Sequence, residues 1–403
     1  MTDMLINPLL NALPEPVEQF VRDVFGLQEA LDLPDVAAPE PPKVGFQGSD
    51  PARARYRDAA NEDYAAIQEH LVVQGGDSLQ LLERTGGPFP LPVFATAWPH
   101  GQVVAAALDR ALVTGDVEEA RKAIRGLDRF ADGTTGAYKP WDAFWKQTRL
   151  YDDNAWIGLD LVQGFRTTGD QDMIDKARGV FDFLDREARH ADGGIYWKEN
   201  ESRMSRNAAS MGPAMQLALQ LHDLTGEQKY LDFAKDMDRA TTTHLRDERG
   251  LVRDNIGDDG TVEPALYTYN QGTAIGADLQ FFQATGEEKY LQRAKATTTA
   301  ALDYYGQEDR LWKQAPAFNA VFFRNLLKLD AVAPDPQIRA TLERYLERAR
   351  TESRQGNGLY TSESGMGNYE AHGADRTPTI DQAAFVQMHA LLAMTPEQLA
   401  LVS

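Results

Sequence analysis

The turn Thr168-Gly169-Asp170 recurs along the sequence and divides it into repeating units. Each copy follows an apolar, helix-like segment and precedes an amphipathic one, such as residues 228–240. A glycine can end a helix in the left-handed conformation, and an acidic residue after it can cap the next helix. The repeating unit is therefore a helical hairpin of about 55 residues. The four copies are Thr114-Gly115-Asp116, Thr168-Gly169-Asp170, Thr225-Gly226-Glu227 and Thr285-Gly286-Glu287.

Helical periodicity dominates the sequence from Asp50 onward and predicts twelve helices. Six hairpins in a chain of this size favour a closed ring, with one helix of each pair inside and one outside. An open superhelix of stacked hairpins is the alternative. Closure is favoured because chemically rich residues collect at the predicted inner-helix starts. We therefore predict an all-α fold, an (α/α)6 barrel of six helical hairpins with long cleft-forming loops at one end. The helices are expected to begin near Ala52, Trp98, Val117, Tyr151, Gln171, Ser205, Gln228, Tyr269, Glu288, Ala315, Pro336 and Thr379, the inner ones near Trp98, Tyr151, Ser205, Tyr269, Ala315 and Thr379.

The chain is predicted to have one large domain preceded by an arm. Residues 1–45 hold one short amphipathic segment and a Pro- and Ala-rich stretch, which together indicate an N-terminal arm and linker. Residues 46–403 are expected to form a single (α/α)6 catalytic domain. Strand signals are weak and fall at 193–197 and 250–253, within long loops of the kind that often carry function.

Composition restricts the classes of partner and cofactor. The formal net charge of −20 argues against nucleic acid and anionic membranes, since both are polyanions. The sequence has no cysteine, and its seven histidines show no metal-ligand spacing, so we expect no metal and no cofactor. No apolar run approaches the roughly 20 residues needed to span a bilayer. No secretory signal is recognised, which predicts a cytoplasmic protein, or a secreted one if a leader has been removed.

Aromatic and polar residues collect at the predicted inner-helix starts, and all six tryptophans lie among them or just ahead of them. Aromatic faces packed on sugar C–H groups, with amides and carboxylates bonded to hydroxyls, are suited to a neutral carbohydrate. The competing interpretation places each aromatic in the core and uses Asn270 and Gln271 for hydrogen bonds at a helix start. Asp254 and Glu263 are interpreted as turn residues. The predicted substrate-binding residues are Trp98, Tyr151, Asn154, Trp156, Trp197, Asn207, Tyr267, Tyr269, Asn270, Gln271 and Asp381.

The consecutive acids Asp152 and Asp153 are the predicted catalytic residues. Two close carboxylates repel, so one should keep a proton at neutral pH, which separates a nucleophile from an acid. A retaining glycosidase needs carboxyl groups about 5–5.5 Å apart and an inverting one about 6.5–9.5 Å. Spacing along the chain does not assign the two roles, and two acids that simply favour a helix N-terminus are the alternative.

Three motifs lie at or ahead of the predicted inner-helix starts: Tyr151-Asp152-Asp153-Asn154-Ala155-Trp156, Gly193-Gly194-Ile195-Tyr196-Trp197 and Tyr267-Thr268-Tyr269-Asn270-Gln271-Gly272. In these motifs, and in the register of the hairpins between them, the sequence resembles glycoside hydrolase family 76, the α-1,6-mannanases. The resemblance extends over about residues 98–382 and implies an (α/α)6 barrel and retaining hydrolysis of α-1,6-mannosidic bonds in α-mannan or manno-oligosaccharides. It makes Asp152 the nucleophile and Asp153 the general acid/base. Members of the family are often secreted, and the segment 315–324 differs from the Phe-Lys-Gly type expected there.

Two other functions remain open at this point. One is a different carbohydrate enzyme on the same ring, either a transglycosylase or a sugar epimerase; an epimerase needs a histidine pair, and none is convincingly placed. The other is a non-catalytic glycan-binding protein that keeps the cleft. The sequence leaves endo or exo action, the number of subsites and the oligomeric state undecided.

Overall fold

The structure is a computed structural model, and it describes residues 45, 50–74, 76–85, 92–133, 135–142, 147–199, 204–361, 366 and 377–403. Residues 38–403 form one compact unit. Apart from Gly45, the predicted arm of residues 1–45 lies outside the described residues, so the division into arm and catalytic domain stays a prediction. Within the described part of the chain, no helix is both long and apolar enough to cross a bilayer.

In the described part of the chain, twelve long helices form two concentric layers, and the inner layer closes. Each inner helix packs against the next one around the ring, and the last packs back onto the first. This closure confirms the predicted barrel and excludes the open superhelix. The inner helices are α2 (Ala97–Thr114), α4 (Tyr151–Thr168), α6 (Ala208–Thr225), α8 (Thr268–Thr285), α11 (Pro316–Val332) and α13 (Thr379–Ala393).

The outer helix of each hairpin packs against an inner one. The first outer helix precedes all the inner ones in the chain and packs on the last of them, which completes the outer layer. Two additional short helices are α10 (Arg310–Lys313) and α14 (Pro396–Leu399). The outer helices are α1 (Pro51–His70), α3 (Val117–Leu127), α5 (Gln171–Glu187), α7 (Gln228–His244), α9 (Glu288–Tyr305) and α12 (Pro336–Glu352).

The Thr-Gly-acid turns join inner to outer helices at one end of the ring. Gly169 has φ +72°, the left-handed conformation, and the other three turn glycines do the same. The Thr168 hydroxyl donates to Gly164 O one turn earlier and accepts from the N–H of Asp170, which explains why threonine recurs there. Asp170 then caps the next helix. The equivalent Glu227 makes no side-chain cap, so the acid caps only where it is aspartate.

The long connections all run from an outer to an inner helix and therefore lie at the opposite end. They carry short antiparallel strands, and each of the two weak strand signals contains a single antiparallel bridge, Arg189 with Ile195 and Arg246 with Val252. One sheet joins β6 (Ser205–Asn207), β7 (Asn255–Gly257) and β8 (Val262–Glu263), with Arg206 opposite Ile256. The helix predicted to begin near Ser205 therefore begins three residues later, because residues 205–207 pair with β7. The remaining strands are β1 (Val72–Gln74), β2 (Gln80–Leu81), β3 (Arg84–Thr85), β4 (Ala131–Asp132), β5 (Ala137–Tyr138) and β9 (Thr377–Pro378), paired β1 with β2, β3 with β9 and β4 with β5.

A glycine permits the closest approach between two inner helices. A Cβ atom on Gly272 of α8 would lie 2.7 Å from Phe322 Cα and 2.9 Å from Val321 O of α11. Real Cβ atoms essentially never come so close to backbone, so any larger residue would push the two helices apart. The glycine of the Tyr-Asn-Gln-Gly motif therefore serves ring closure.

Candidate active site

The two consecutive aspartates lie in the first turn of the inner helix α4. Asp152 Oδ2 accepts a hydrogen bond from the indole Nε1–H of Trp197 at 3.0 Å. Asp152 Oδ1 is buried and, among the described residues, has no hydrogen-bond partner. Asp153 is only 7% exposed. The pair is thus held at the end of the ring that carries the long loops, with one carboxylate oxygen unpaired.

Burial raises the pKa of both carboxyl groups, but to different extents. For Asp152 the effect of burial is opposed by the Trp197 indole and by backbone N–H groups of the helix start, which favour the ionised form. For Asp153 it is reinforced by the negative charge of Asp152, so the pKa rises well above its ordinary value. Asp152 therefore ionises first, and Asp153 keeps its proton over a wider pH range.

Trp197 is held in place by its backbone as well as by Asp152. Its carbonyl oxygen accepts from the N–H of Tyr151 at 2.8 Å, and its N–H donates to Ser205 O at 3.0 Å. The Lys198 ammonium lies 4.4 Å from the centre of the indole ring. The loop between α5 and α6 therefore carries a fixed hydrogen-bond donor to the aspartate that follows Tyr151.

Four aromatic side chains from three inner helices and their preceding loops meet at the same end. The ring centres of Tyr269 and Phe318 are 4.2 Å apart, and Tyr267 lies 5.8 Å from Tyr269. Trp98 lies 6.2 Å from Phe318. All four are only partly buried. The predicted convergence of aromatics from distant parts of the chain is therefore correct for this group.

Buried polar atoms that have no hydrogen-bond partner among the described residues lie at the starts of five of the six inner helices. Buried donors and acceptors in folded proteins almost always have a partner, so unpaired ones gathered in one place indicate a site for a polar ligand. Each atom belongs to the second or third residue of its helix, which places all of them at the end that holds the aspartate pair. They are Trp98 Nε1, Asp152 Oδ1, Ser210 Oγ, Asn270 Oδ1 and Asp381 Oδ1.

Ser210 is the member of this set that the sequence analysis missed. It is fully buried and is the third residue of α6. Asp153 and Asn270 are the third residues of their own helices, and all three stand sixteen residues before the glycine of the following turn. Counting back from each Thr-Gly-acid turn would have identified Ser210. The prediction favoured Asn207, whose Oδ1 accepts instead from the Ser205 hydroxyl at 2.7 Å.

Two amides predicted to bind substrate hold the backbone of the long loops instead. Asn154 accepts from the N–H of Tyr138 at 2.7 Å and donates to Tyr138 O at 3.0 Å. Gln271 makes the same pair of bonds to Val252, both at 2.8 Å. Both residues are fully buried. The side-chain atoms of both residues are therefore bonded to loop backbone, and a role of Asn154 and Gln271 in substrate binding stays a prediction.

The side chain of Tyr151, also predicted to bind substrate, contacts an outer helix, and its role in binding stays a prediction. Its hydroxyl donates to Glu187 O of the outer helix α5 at 3.0 Å, and its ring packs 5.5 Å from that of Phe183.

Asp254, which the sequence analysis interprets as a turn residue, accepts a 3.4 Å hydrogen bond from Asn270 and so lies beside the site. Trp156 follows Asp152 by four residues, which places both on one face of α4.

The tryptophans do not all gather at the site. Trp312 is buried in the core against Tyr345. Trp145 lies outside the described residues, and Trp141 is exposed on the protein surface.

Arg324 lies deeper in the ring, where it forms an ion pair with Asp109. No group of histidine and acidic side chains suited to a metal ion occurs in the described part of the chain.

Several solved structures are similar to this fold. A family 76 glycoside hydrolase from a bovine Bacteroides thetaiotaomicron strain superimposes with a TM-score of 0.74 at 24% identity, covering 84% of this chain and 77% of that one. A family 76 mannosidase from B. thetaiotaomicron VPI-5482 gives 0.72 at 24% identity, covering 84% and 98%. The α-1,6-mannanase of Salegentibacter sp. HEL1_6 gives 0.70 at 22% identity, covering 84% and 99%. An inactive variant of that mannanase, substituted at two consecutive aspartates, was solved with α-1,6-mannotetrose.

Sequence comparison identifies the family itself. Comparison with curated proteins gave no match. The family model of glycosyl hydrolase family 76 matches residues 69–401, which is most of the chain and includes every inner helix. The solved structures above share the same ring architecture, and at sequence identities of 22–24% they support the fold but not the function. The chain therefore belongs to glycosyl hydrolase family 76 and is a glycoside hydrolase with an (α/α)6 barrel fold.

Proposed function

We propose that this hydrolase cleaves α-1,6-mannosidic linkages of α-mannan or manno-oligosaccharides with retention of configuration. The ring of unpaired buried polar atoms around Asp152 carries the proposal. A sugar offers several hydroxyl groups, each both donor and acceptor, to donors such as Trp98 Nε1 and acceptors such as Asn270 Oδ1. The partly buried rings of Tyr269 and Phe318 supply apolar faces next to them.

The proposed chemistry divides two roles between the aspartates. Asp152, which ionises first, attacks the anomeric carbon and forms a glycosyl–enzyme bond, while Asp153 gives its proton to the leaving glycosidic oxygen. Asp153, now ionised, then takes a proton from water, and the oxygen of that water displaces Asp152 from the anomeric carbon. The unequal pKa shifts of the two carboxyls support this order.

The mannan substrate is supported by the structural relatives. The Salegentibacter enzyme is an α-1,6-mannanase, and its variant without two consecutive aspartates is inactive but was solved with α-1,6-mannotetrose. Asp152 and Asp153 are the consecutive aspartates that this chain places at the starts of its inner helices. A neutral mannan also suits a protein whose net charge is −20.

The test is product formation from linear α-1,6-manno-oligosaccharides followed by proton NMR. The wild type should release the α-anomer first, and both Asp152→Asn and Asp153→Asn should lose activity by at least about a hundredfold. Asp232→Asn, at an exposed position on the outer helix α7, is the matched control and should keep full activity.

Other outcomes separate the competing functions. A β-anomer as first product would refute retention. Binding of the oligosaccharide by the wild type without cleavage would make the protein a glycan-binding module. Longer oligosaccharides appearing at high substrate concentration would identify a transglycosylase. Cleavage of another glycoside in a substrate panel, with α-1,6-mannan untouched, would refute the linkage.

A further inference from the structure

A cavity lies at the end of the ring opposite the aspartate pair. It has a volume of about 640 Å³ and is lined by the last turns of four inner helices and by the chain segment 396–402. Arg166 of α4 lines it, fourteen residues beyond Asp152 on the same helix, or about 21 Å along the helix axis at 1.5 Å per residue. The cavity is therefore separate from the candidate active site.

Lys328 of α11 is a buried cation without a carboxylate partner in this cavity. Its Nζ donates to Val402 O at 2.8 Å, and it forms no ion pair within the described part of the chain. Burial and the nearby positive charges of Arg166 and Arg324 lower its pKa to about 7, and the charge of Asp109 opposes them only in part. A buried ammonium group that makes no ion pair with the described residues is energetically unfavourable, so the site favours a negatively charged group.

Gln220 of α6 supplies a second unused donor. Its Oε1 accepts from Arg166 Nη1 at 2.9 Å and from the Ser403 hydroxyl at 3.2 Å, which fixes the orientation of the amide. Its Nε2 is buried and has no partner in the described part of the chain. Arg166 itself is bonded to Asp223 at 3.0 Å. Since Arg166 is already neutralised, Lys328 and Gln220 are the groups left to bind a ligand.

We propose that this cavity binds a small molecule through a phosphate or carboxylate group, whose oxygens accept hydrogen bonds from Lys328 Nζ and Gln220 Nε2. The volume admits a ligand larger than the anionic group alone. The cavity uses no residue of the aspartate site, so the inference does not depend on the proposed mannanase activity. It gives a strongly acidic protein one buried position where a small anion is favoured.

The test measures binding by isothermal titration calorimetry at pH 6, with inorganic phosphate and acetate as probes and chloride at matched ionic strength. Saturable binding of phosphate, of acetate or of both is expected, and the probe that binds identifies the anionic group. Lys328→Met should weaken binding at least about tenfold, the loss expected for a charge-assisted hydrogen bond. Lys295→Met removes an exposed charge from the outer helix α9 and should bind like the wild type.

Thermal unfolding gives an independent readout. In chloride, Lys328→Met should have a higher melting temperature than the wild type, because the substitution removes the uncompensated charge. Adding phosphate or acetate should raise the melting temperature of the wild type but not that of Lys328→Met. If Lys328→Met does not fold, Gln220→Glu tests the proposal instead. This substitution keeps the hydrogen-bond acceptor for Arg166 and adds a carboxylate inside the cavity, so it should weaken probe binding to the same degree. Absence of saturable binding in the wild type, or undiminished binding in these variants, would overturn the proposal.

Discussion

Replacing Trp197 with phenylalanine removes the hydrogen bond to Asp152 while keeping an aromatic ring in the same loop. The indole N–H donates to Asp152 Oδ2 at 3.0 Å and opposes the rise of the pKa caused by burial. The backbone bonds of residue 197 to Tyr151 and Ser205 do not involve the indole and should persist. The substitution therefore isolates the effect of one donor on the proposed nucleophile.

The expected magnitude follows from the charge that the bond stabilises. A hydrogen bond to an ionised group contributes about 1.5–3 kcal/mol. At about 1.4 kcal/mol per pKa unit, its loss should raise the pKa of Asp152 by about one to two units. Because only ionised Asp152 attacks, kcat/KM on the acidic side of the optimum should fall about ten- to a hundredfold, and much less at the optimum.

The assay is the pH dependence of kcat/KM for an α-1,6-manno-oligosaccharide. The wild-type profile should rise as Asp152 ionises and fall at higher pH as Asp153 loses its proton; these limbs belong to the coupled pair. In Trp197→Phe the acidic limb should move to higher pH. Trp98→Phe is the matched control, since the unpaired Trp98 Nε1 has no carboxylate to stabilise, and it should leave the acidic limb in place. An unmoved acidic limb in Trp197→Phe would refute the reasoning.

Four further predictions concern stability and binding. Gly272→Ala should destabilise the protein by about 1–3 kcal/mol in urea unfolding, since its Cβ would meet α11; Gly356→Ala, with open space around it, should not. Asn154→Leu should cost about 2–4 kcal/mol in the same assay by leaving Tyr138 backbone groups unpaired, and an unchanged midpoint would contradict the proposed role of the amide. Ser210→Ala should raise KM without lowering thermal stability, because its hydroxyl has no hydrogen-bond partner in the described part of the chain; equal KM values would remove it from the site. Burial raises the pKa of Asp381 to about 7, above its unfolded value of about 3.9, so the folded protein loses stability as the pH rises from about 4 to about 7. Asp381→Asn should therefore be more stable than the wild type at pH 8, by up to about 4 kcal/mol, and no more stable at pH 4.

The ring could be predicted from sequence because its determinants are local. Each Thr-Gly-acid turn needs only a left-handed glycine, a threonine bonded one turn back and an acid after it, all within a few residues. Apolar periodicity then fixes the helices, and six hairpins close. The start of α6 was misplaced because residues 205–207 pair with β7, about fifty residues later in the chain. The residues around position 205 do not reveal a pairing partner so distant in sequence.

The geometry of the candidate site was predicted in part, and the differences between prediction and structure share one cause. Position along the chain correctly brought Asp152, Trp98 and Tyr269 to one end of the ring, because the first turns of all the inner helices lie there. It did not give the direction of each side chain. Neighbouring residues of a helix point about 100° apart, so Asp153 and Asn154 have different surroundings although they are adjacent.

The contacts of each amide and aromatic side chain depend on residues that are distant in sequence. Asn154 and Gln271 are committed to loop backbone, and Tyr151 to an outer helix. The donor to Asp152 comes from Trp197, 45 residues later. The sequence by itself determined the helices, their turns and the end of the ring at which the chemistry collects, because these depend on residues a few positions apart. Only the tertiary structure decided which polar atoms are left unpaired for a ligand, because that depends on which hydrogen bonds the folded chain has already made.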